Sequence, residues 1–111
     1  MEIVLVTDKV GLEKLIGSIL TQRNEVIRLA NEAEVAEINL DLEKANRAIA
    51  IKDADPKATV VAIESKIAAE FEVQDKEVIA KKKLYKEAEA ELEAYENTFS
   101  ASKRLMDIAA K

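Results

Sequence analysis

Cysteine and histidine are both absent from this 111-residue chain. Without them the chain cannot form a disulfide framework, a thiolate nucleophile, a serine–histidine pair, or a zinc site built on thiolates or imidazoles. The chain also has only two glycines and one proline, and it has no tryptophan. All-β folds need many turn-forming residues, so this shortage argues against them. Together the absences exclude several catalytic classes and favour long helices.

Aromatic residues are scarce, at 4% of the chain, whereas apolar residues make up 49% and charged residues 35%. This composition is typical of long helices and coiled coils. The length corresponds to one domain. We therefore predict a single all-α domain over residues 1–111.

The charge and hydropathy of the chain bound its partners and its compartment. The formal net charge is −5, which argues against nucleic-acid binding because that binding uses Lys and Arg to neutralise phosphates. The apolar run at residues 3–6 is too short for a secretory signal, and no stretch approaches the roughly 18 apolar residues that span a bilayer. We expect a cytoplasmic protein, or a virion protein if it is phage-encoded, with no nucleic-acid or membrane partner.

The order of sequence signals predicts an arm, two long helices and a short third helix. Asp55 can cap the second helix, with Pro56 at its first position, where a missing N–H is harmless. The apolar stripe of that helix changes phase between Phe99 and Leu105, which predicts a break near Thr98. The predicted elements are an extended arm or strand at 1–7, a helix at 8–53, a turn at 54–56, a helix at 57–97 and a short helix at 99–110.

The first helix carries two apolar rows. Apolar residues recur every eleven positions in the first row, and the second row follows two residues later. Because two residues on a helix are about 200° apart, the rows point in nearly opposite directions. The first row consists of Ile16, Ile27, Ile38 and Ile49, widened by Val35, Leu42 and Ala45. The second consists of Leu29, Leu40 and Ile51, widened by Val26 and Ala33.

The second helix has a single apolar stripe that repeats every seven residues, with charged residues around the rest of its surface. Two long helices joined by a tight turn predict an antiparallel hairpin that resembles a coiled coil. We expect the hairpin core to consist of Ile27, Ile38, Leu42 and Ile49 from the first helix and Ile67, Phe71, Val78, Tyr85 and Leu92 from the second.

A two-helix hairpin can cover only one row of the first helix. The row left over would form a long apolar patch, which soluble monomers rarely tolerate. We predict that a second copy covers it, so that the chain forms a homo-oligomeric bundle. The predicted oligomer interface consists of Val26, Leu29, Ala33, Leu40 and Ile51.

This organisation predicts a non-enzymatic structural or assembly protein that self-associates through helical faces. A small phage virion, scaffold or tail-associated component would be one such protein. The alternative is a small helical adaptor or inhibitor that covers the same row with one target protein. The genes that flank this one would separate the two alternatives.

Two charged clusters are the remaining candidates for chemistry. Lys81, Lys82 and Lys83 could meet phosphate or an acidic partner, but consecutive lysines fan apart around a helix. The acidic run at 87–96 could hold a divalent cation weakly, but we interpret it as a solvated helix face. We expect no catalytic residue, no cofactor, no metal site and no small-molecule substrate.

Overall fold

A computed structural model describes residues 5–110 of the chain. The fold is all-α, as the sequence predicts, and it contains α1 (Lys9–Ala54), α2 (Val60–Glu70) and α3 (Glu72–Ala109). The chain divides into two compact units, which we call unit 1 (Met1–Ala30 with Leu84–Lys111) and unit 2 (Asn31–Lys83). The prediction of one helical domain stays a prediction.

In unit 1 the described part of the N-terminal arm lies against α3. The backbone N–H of Val6 donates to the hydroxyl of Ser102 at 2.9 Å, and Ser102 is fully buried. Residues 5–7 are neither helix nor strand, so the described part of the arm does not form the predicted strand. Residues 3 and 4, which belong to the same prediction, lie outside the described residues.

The first turn of α1 is fixed by a side-chain cap. The carboxylate of Asp8 accepts the backbone N–H of Gly11 at 2.5 Å, which satisfies one of the N–H groups that a helix start leaves without a partner. A Cβ on Gly11 would lie 3.0 Å from Asp8 Oδ1 and 3.1 Å from Val6 Cγ1. A side chain at position 11 would therefore press on the arm and on the cap, which both approach the helix closely here.

The core of unit 1 lies between the first half of α1 and the second half of α3. Leu15, Ile19 and Ala88 are buried. The side-chain amide of Gln22 donates to the backbone carbonyl of Ala88 at 2.9 Å, which joins the two helices directly. With the bond between Val6 and Ser102, this contact shows that the two segments run antiparallel.

The turn in unit 2 corrects the predicted start of the second helix. Asp55 does not cap a helix. Its carbonyl accepts the N–H of Ala58 at 3.0 Å, and its carboxylate accepts the N–H of Lys57 at 3.2 Å. Residues 55–58 form a β-turn, and Pro56 is its second residue. The fixed φ of proline suits this position as well as the first position of a helix. Thr59 caps α2 instead, and its hydroxyl accepts the N–H of Ala62 at 3.2 Å.

The second predicted helix is interrupted at Phe71, between α2 and α3. Phe71 has φ −107° and ψ 16°, which departs from helical values. Its N–H still donates to the carbonyl of Ile67 at 3.0 Å, and its carbonyl accepts the N–H of Asp75 at 2.9 Å. The hydrogen-bond ladder therefore continues through the interruption.

The break predicted near Thr98 and the separate helix at 99–110 are both wrong, because α3 runs without interruption to Ala109. The hydroxyl of Thr98 donates to the carbonyl of Ala94 at 2.8 Å, an arrangement that a helix interior accepts. The inner face of α3 continues through Phe99, Ser102 and Met106, which are buried or half-buried. The apparent phase jump arose because a buried serine occupies an inner position.

Candidate interaction surface

The two apolar rows of α1 face the opposite way from the sequence prediction. In unit 2, Ala33, Leu40 and Ile51 are buried, and Leu40 is only 7% exposed. In unit 1, Val26 and Leu29 are half-buried. The predicted oligomer interface therefore needs correction at Ala33, Leu40 and Ile51, because side chains buried within a unit are not available to a second copy.

Four residues that were predicted to form the hairpin core lie at the surface instead. Ile38 is 51% exposed, Leu42 58% and Ile49 61%, all in unit 2. Ile27 is 59% exposed in unit 1. The row that contains them is the one that packing within the units leaves uncovered.

Two ion pairs on the same side of the buried row accompany this packing of unit 2. Lys44 Nζ lies 2.5 Å from Asp75 Oδ1, and Lys82 Nζ lies 2.8 Å from Glu37 Oε2. Both pairs join α1 to α3. With the other row facing inward, Glu37 and Lys44 would point away from these partners. The apolar pattern alone did not distinguish the rows, and these charges are the signal that could have done so.

A third ion pair joins α1 to α2 in unit 2. The guanidinium of Arg47 donates to both carboxylate oxygens of Glu70, at 2.8 and 3.0 Å. This two-pronged geometry is the stronger form of the Arg–carboxylate pair. The hydrogen bond from Arg47 lowers the pKa of Glu70, and the same bond raises the pKa of Arg47.

Residues predicted for the core from the second helix lie on the inner faces of α2 and α3. Val78 is buried, and Ile67 and Phe71 are half-buried in unit 2. Tyr85 and Leu92 are half-buried in unit 1. In unit 2, Val78 and Leu40 line the same shallow groove, of about 150 Å³. Val78 therefore lies beside the second row of α1 rather than the first.

The uncovered row in unit 2 forms one continuous apolar strip on α1, which we call the outward row. Every member is exposed, including the small Ala45. The side chains are spaced alternately three and four residues apart, so they fall on one face of the helix. The outward row consists of Val35, Ile38, Leu42, Ala45 and Ile49.

Polar residues flank the outward row on both sides. Glu34 and Asp41 lie along one edge, and Asn39 and Asn46 lie along the other. All four are exposed. An apolar strip between polar edges is the usual anatomy of a helical interface.

Unit 1 has its own exposed apolar residues on α1. Ile16 is 41% exposed and Leu20 53%. They border an open groove of about 250 Å³ whose other wall includes Phe99 on α3. Arg23 and Glu96, whose charged groups are 3.9 Å apart, also line this groove.

The acidic run of α3 contains one ordered contact with the tyrosine before it. The hydroxyl of Tyr85 donates to Glu89 Oε2 at 2.5 Å. This bond raises the pKa of Tyr85 and lowers that of Glu89. The bond therefore favours the protonated phenol over the phenolate. The pair acts as a bridge along the helix surface.

The described residues contain neither a metal-binding cluster nor a helix that could cross a membrane. Within 5–110, no three or more acidic side chains are grouped so that they could hold a metal ion. None of the helices in that part of the chain combines the length and the apolar character that crossing a membrane requires.

Comparison of the chain with protein-family models, curated proteins and solved structures finds no significant match.

Proposed function

We propose that this chain is a non-enzymatic assembly protein that self-associates by burying the outward row of α1 against a second copy. The observation that carries the proposal is the exposure of Ile38, Leu42 and Ile49, which lie on one face of a helix that already packs through its other face. Burying a side chain of this size fully stabilises an assembly by roughly 1.5–3 kcal/mol. An aligned set of such residues is what a helical interface requires.

The packing of unit 2 supports this role because the interface does not compete with the fold. Leu40 and Ile51 hold α1 against its own partner helices, and the ion pair between Lys44 and Asp75 lies on the same side. A second copy on the outward row would leave these contacts in place. Association can therefore occur between folded chains, without the opening that a domain swap needs.

Leu42→Glu tests the proposal because it places a charge in the middle of the outward row. The variant should weaken association at least tenfold, measured by sedimentation velocity, and should keep the helical circular dichroism of the wild type. Val73→Glu is the matched control, because Val73 is an exposed apolar residue of α3 in the same unit. The control should associate like the wild type, and equal weakening in both variants would refute the role of the outward row.

A monomeric wild type would favour the adaptor or inhibitor role, in which one target protein covers the outward row.

The flanking genes provide an independent test of the assembly role. Neighbouring capsid, portal or tail genes would support a phage virion, scaffold or tail-associated component. Neighbouring genes for a defence system and its regulators would support an inhibitor.

A further inference from the structure

The outward row of unit 2 has the heptad spacing of a coiled coil. The intervals alternate between three and four residues, which places Val35, Leu42 and Ile49 at the a positions and Ile38 and Ala45 at the d positions. We infer that a second copy packs on this row parallel and in register, so that each residue meets its own counterpart. This inference rests on the proposed function and specifies the orientation of the partner.

The number of matched layers favours the parallel arrangement. In register, all five residues of the outward row face their equivalents, and every layer is apolar. In an antiparallel pair, a positions face d positions, and the outward row has three a positions but only two d positions. At most four apolar layers can then form, and one large residue at an end of the row, Val35 or Ile49, faces a polar side chain.

The polar edges favour the same arrangement. Glu34 and Asp41 occupy g positions, and Asn39 and Asn46 occupy e positions. In a parallel pair, the g residue of one helix faces the e residue of the next heptad on the other. Each carboxylate therefore meets an asparagine amide that can donate to it, Glu34 to Asn39 and Asp41 to Asn46.

The antiparallel registers lack these carboxylate–amide pairs. In the register that pairs Ile38 with Leu42, the two copies of Asp41 face each other, and like charges repel. In the register that pairs Leu42 with Ala45, Asn39 faces Asn46 and the carboxylates lose their amide partners. The polar edges therefore favour the parallel arrangement over both antiparallel registers, as the apolar layers do.

The outward row also has defined ends, which limits sliding of the two copies. Continuing the heptad places Asn31 at the preceding d position and Lys52 at the following one. Shifting one copy by a heptad would bring one of these polar residues against the apolar row. Polar residues at such positions are a known means of fixing register.

Disulfide trapping tests the orientation, and the chain has no cysteine of its own to interfere. Ala45→Cys should form a disulfide-linked dimer under mild oxidation, because in-register d positions lie close enough for the bond. A mixture of Val35→Cys and Ala45→Cys should give only 45–45 and 35–35 links by mass spectrometry of the linked peptides. Val73→Cys is the control for random collision.

Each outcome decides the question. A dominant 35–45 link in the mixture, or a 42–45 link when Leu42→Cys is mixed with Ala45→Cys, would overturn the parallel arrangement in favour of an antiparallel one. A dimer by light scattering that traps no better at 45 than at 73 would place the interface elsewhere. A wild type that stays monomeric would refute the proposed function itself, which light scattering detects without any cysteine.

Asn39→Lys tests the polar edges by a separate measurement. In the parallel pair the new ammonium faces Glu34, so association should tighten about twofold at low salt, because an exposed ion pair contributes modestly. The gain should disappear in high salt. In the antiparallel registers the introduced ammonium would face either its own copy or Asn46, so unchanged or weaker association would overturn the inference.

Discussion

The backbone N–H of Val6 donates to the hydroxyl of Ser102 across 96 positions of sequence, at 2.9 Å. Ser102 is a fully buried polar side chain of unit 1, and its hydroxyl connects the arm to α3. A polar group buried without a partner destabilises a protein, so this bond accounts for a serine on an otherwise apolar inner face.

Ser102→Ala should release the arm while leaving the helices intact. The variant removes the acceptor of the Val6 N–H, and we expect a loss of about 1 kcal/mol in the free energy of unfolding. Amide exchange at Val6 should accelerate by a larger factor than exchange at Leu15 and Ile19, which can rise only by the factor set by the loss of global stability. Ser100→Ala, at an exposed position of α3, is the control. Unchanged exchange at Val6 in the Ser102 variant would show that the bond does not hold the arm.

The two glycines of α1 should respond in opposite ways to alanine. A Cβ on Gly17 meets nothing within 4 Å, so Gly17→Ala should stabilise the chain by about 0.5–1 kcal/mol through helix propensity alone. A Cβ on Gly11 would press on Val6 and Asp8, so the same gain should be offset or reversed. Urea unfolding followed by circular dichroism measures both changes, and equal stabilisation by the two substitutions would contradict the close approach of the arm.

The contribution of the Arg47–Glu70 pair to stability should disappear at low pH. The hydrogen bond from Arg47 lowers the pKa of Glu70 below its ordinary value of 4.5. A lowered folded-state pKa gives stabilisation that is fully present above the unfolded pKa and is lost as the pH falls through the folded pKa. Glu70→Gln should therefore melt below the wild type at pH 7, and the two melting temperatures should converge below the folded pKa.

Glu64→Gln, an exposed substitution on α2, is the control for the loss of a carboxylate. It should change the melting temperature little at either pH. A difference between Glu70→Gln and the wild type that persists unchanged in strong acid would mean that the pair does not account for the effect.

The sequence predicted the helical class and the two rows of α1, because apolar residues at helical spacing determine both. It could not decide which row faces inward, since two rows of similar hydropathy on opposite faces satisfy a hairpin equally well. The ion pairs that fit the observed orientation, such as Lys44 with Asp75, join residues distant in sequence that only the folded chain brings together.

The errors on the second helix have local physical causes. Pro56 suits a β-turn as well as a helix start, so its sequence signal was ambiguous. Ser102 occupies a buried position without being apolar, so the inner stripe of α3 seemed to end before it. Phe71 departs from helical dihedrals but keeps both of its helical backbone hydrogen bonds. Its side chain also continues the inner apolar stripe. The apolar pattern of the sequence therefore gives no sign of the interruption.

Light scattering of the wild-type chain across a concentration series tests the central claim most directly. The exposed outward row of α1 predicts a mass above that of the 12.3 kDa monomer at tens of micromolar, falling toward the monomer on dilution as a reversible association requires. A chain that keeps the monomer mass throughout this range would contradict self-association through the outward row.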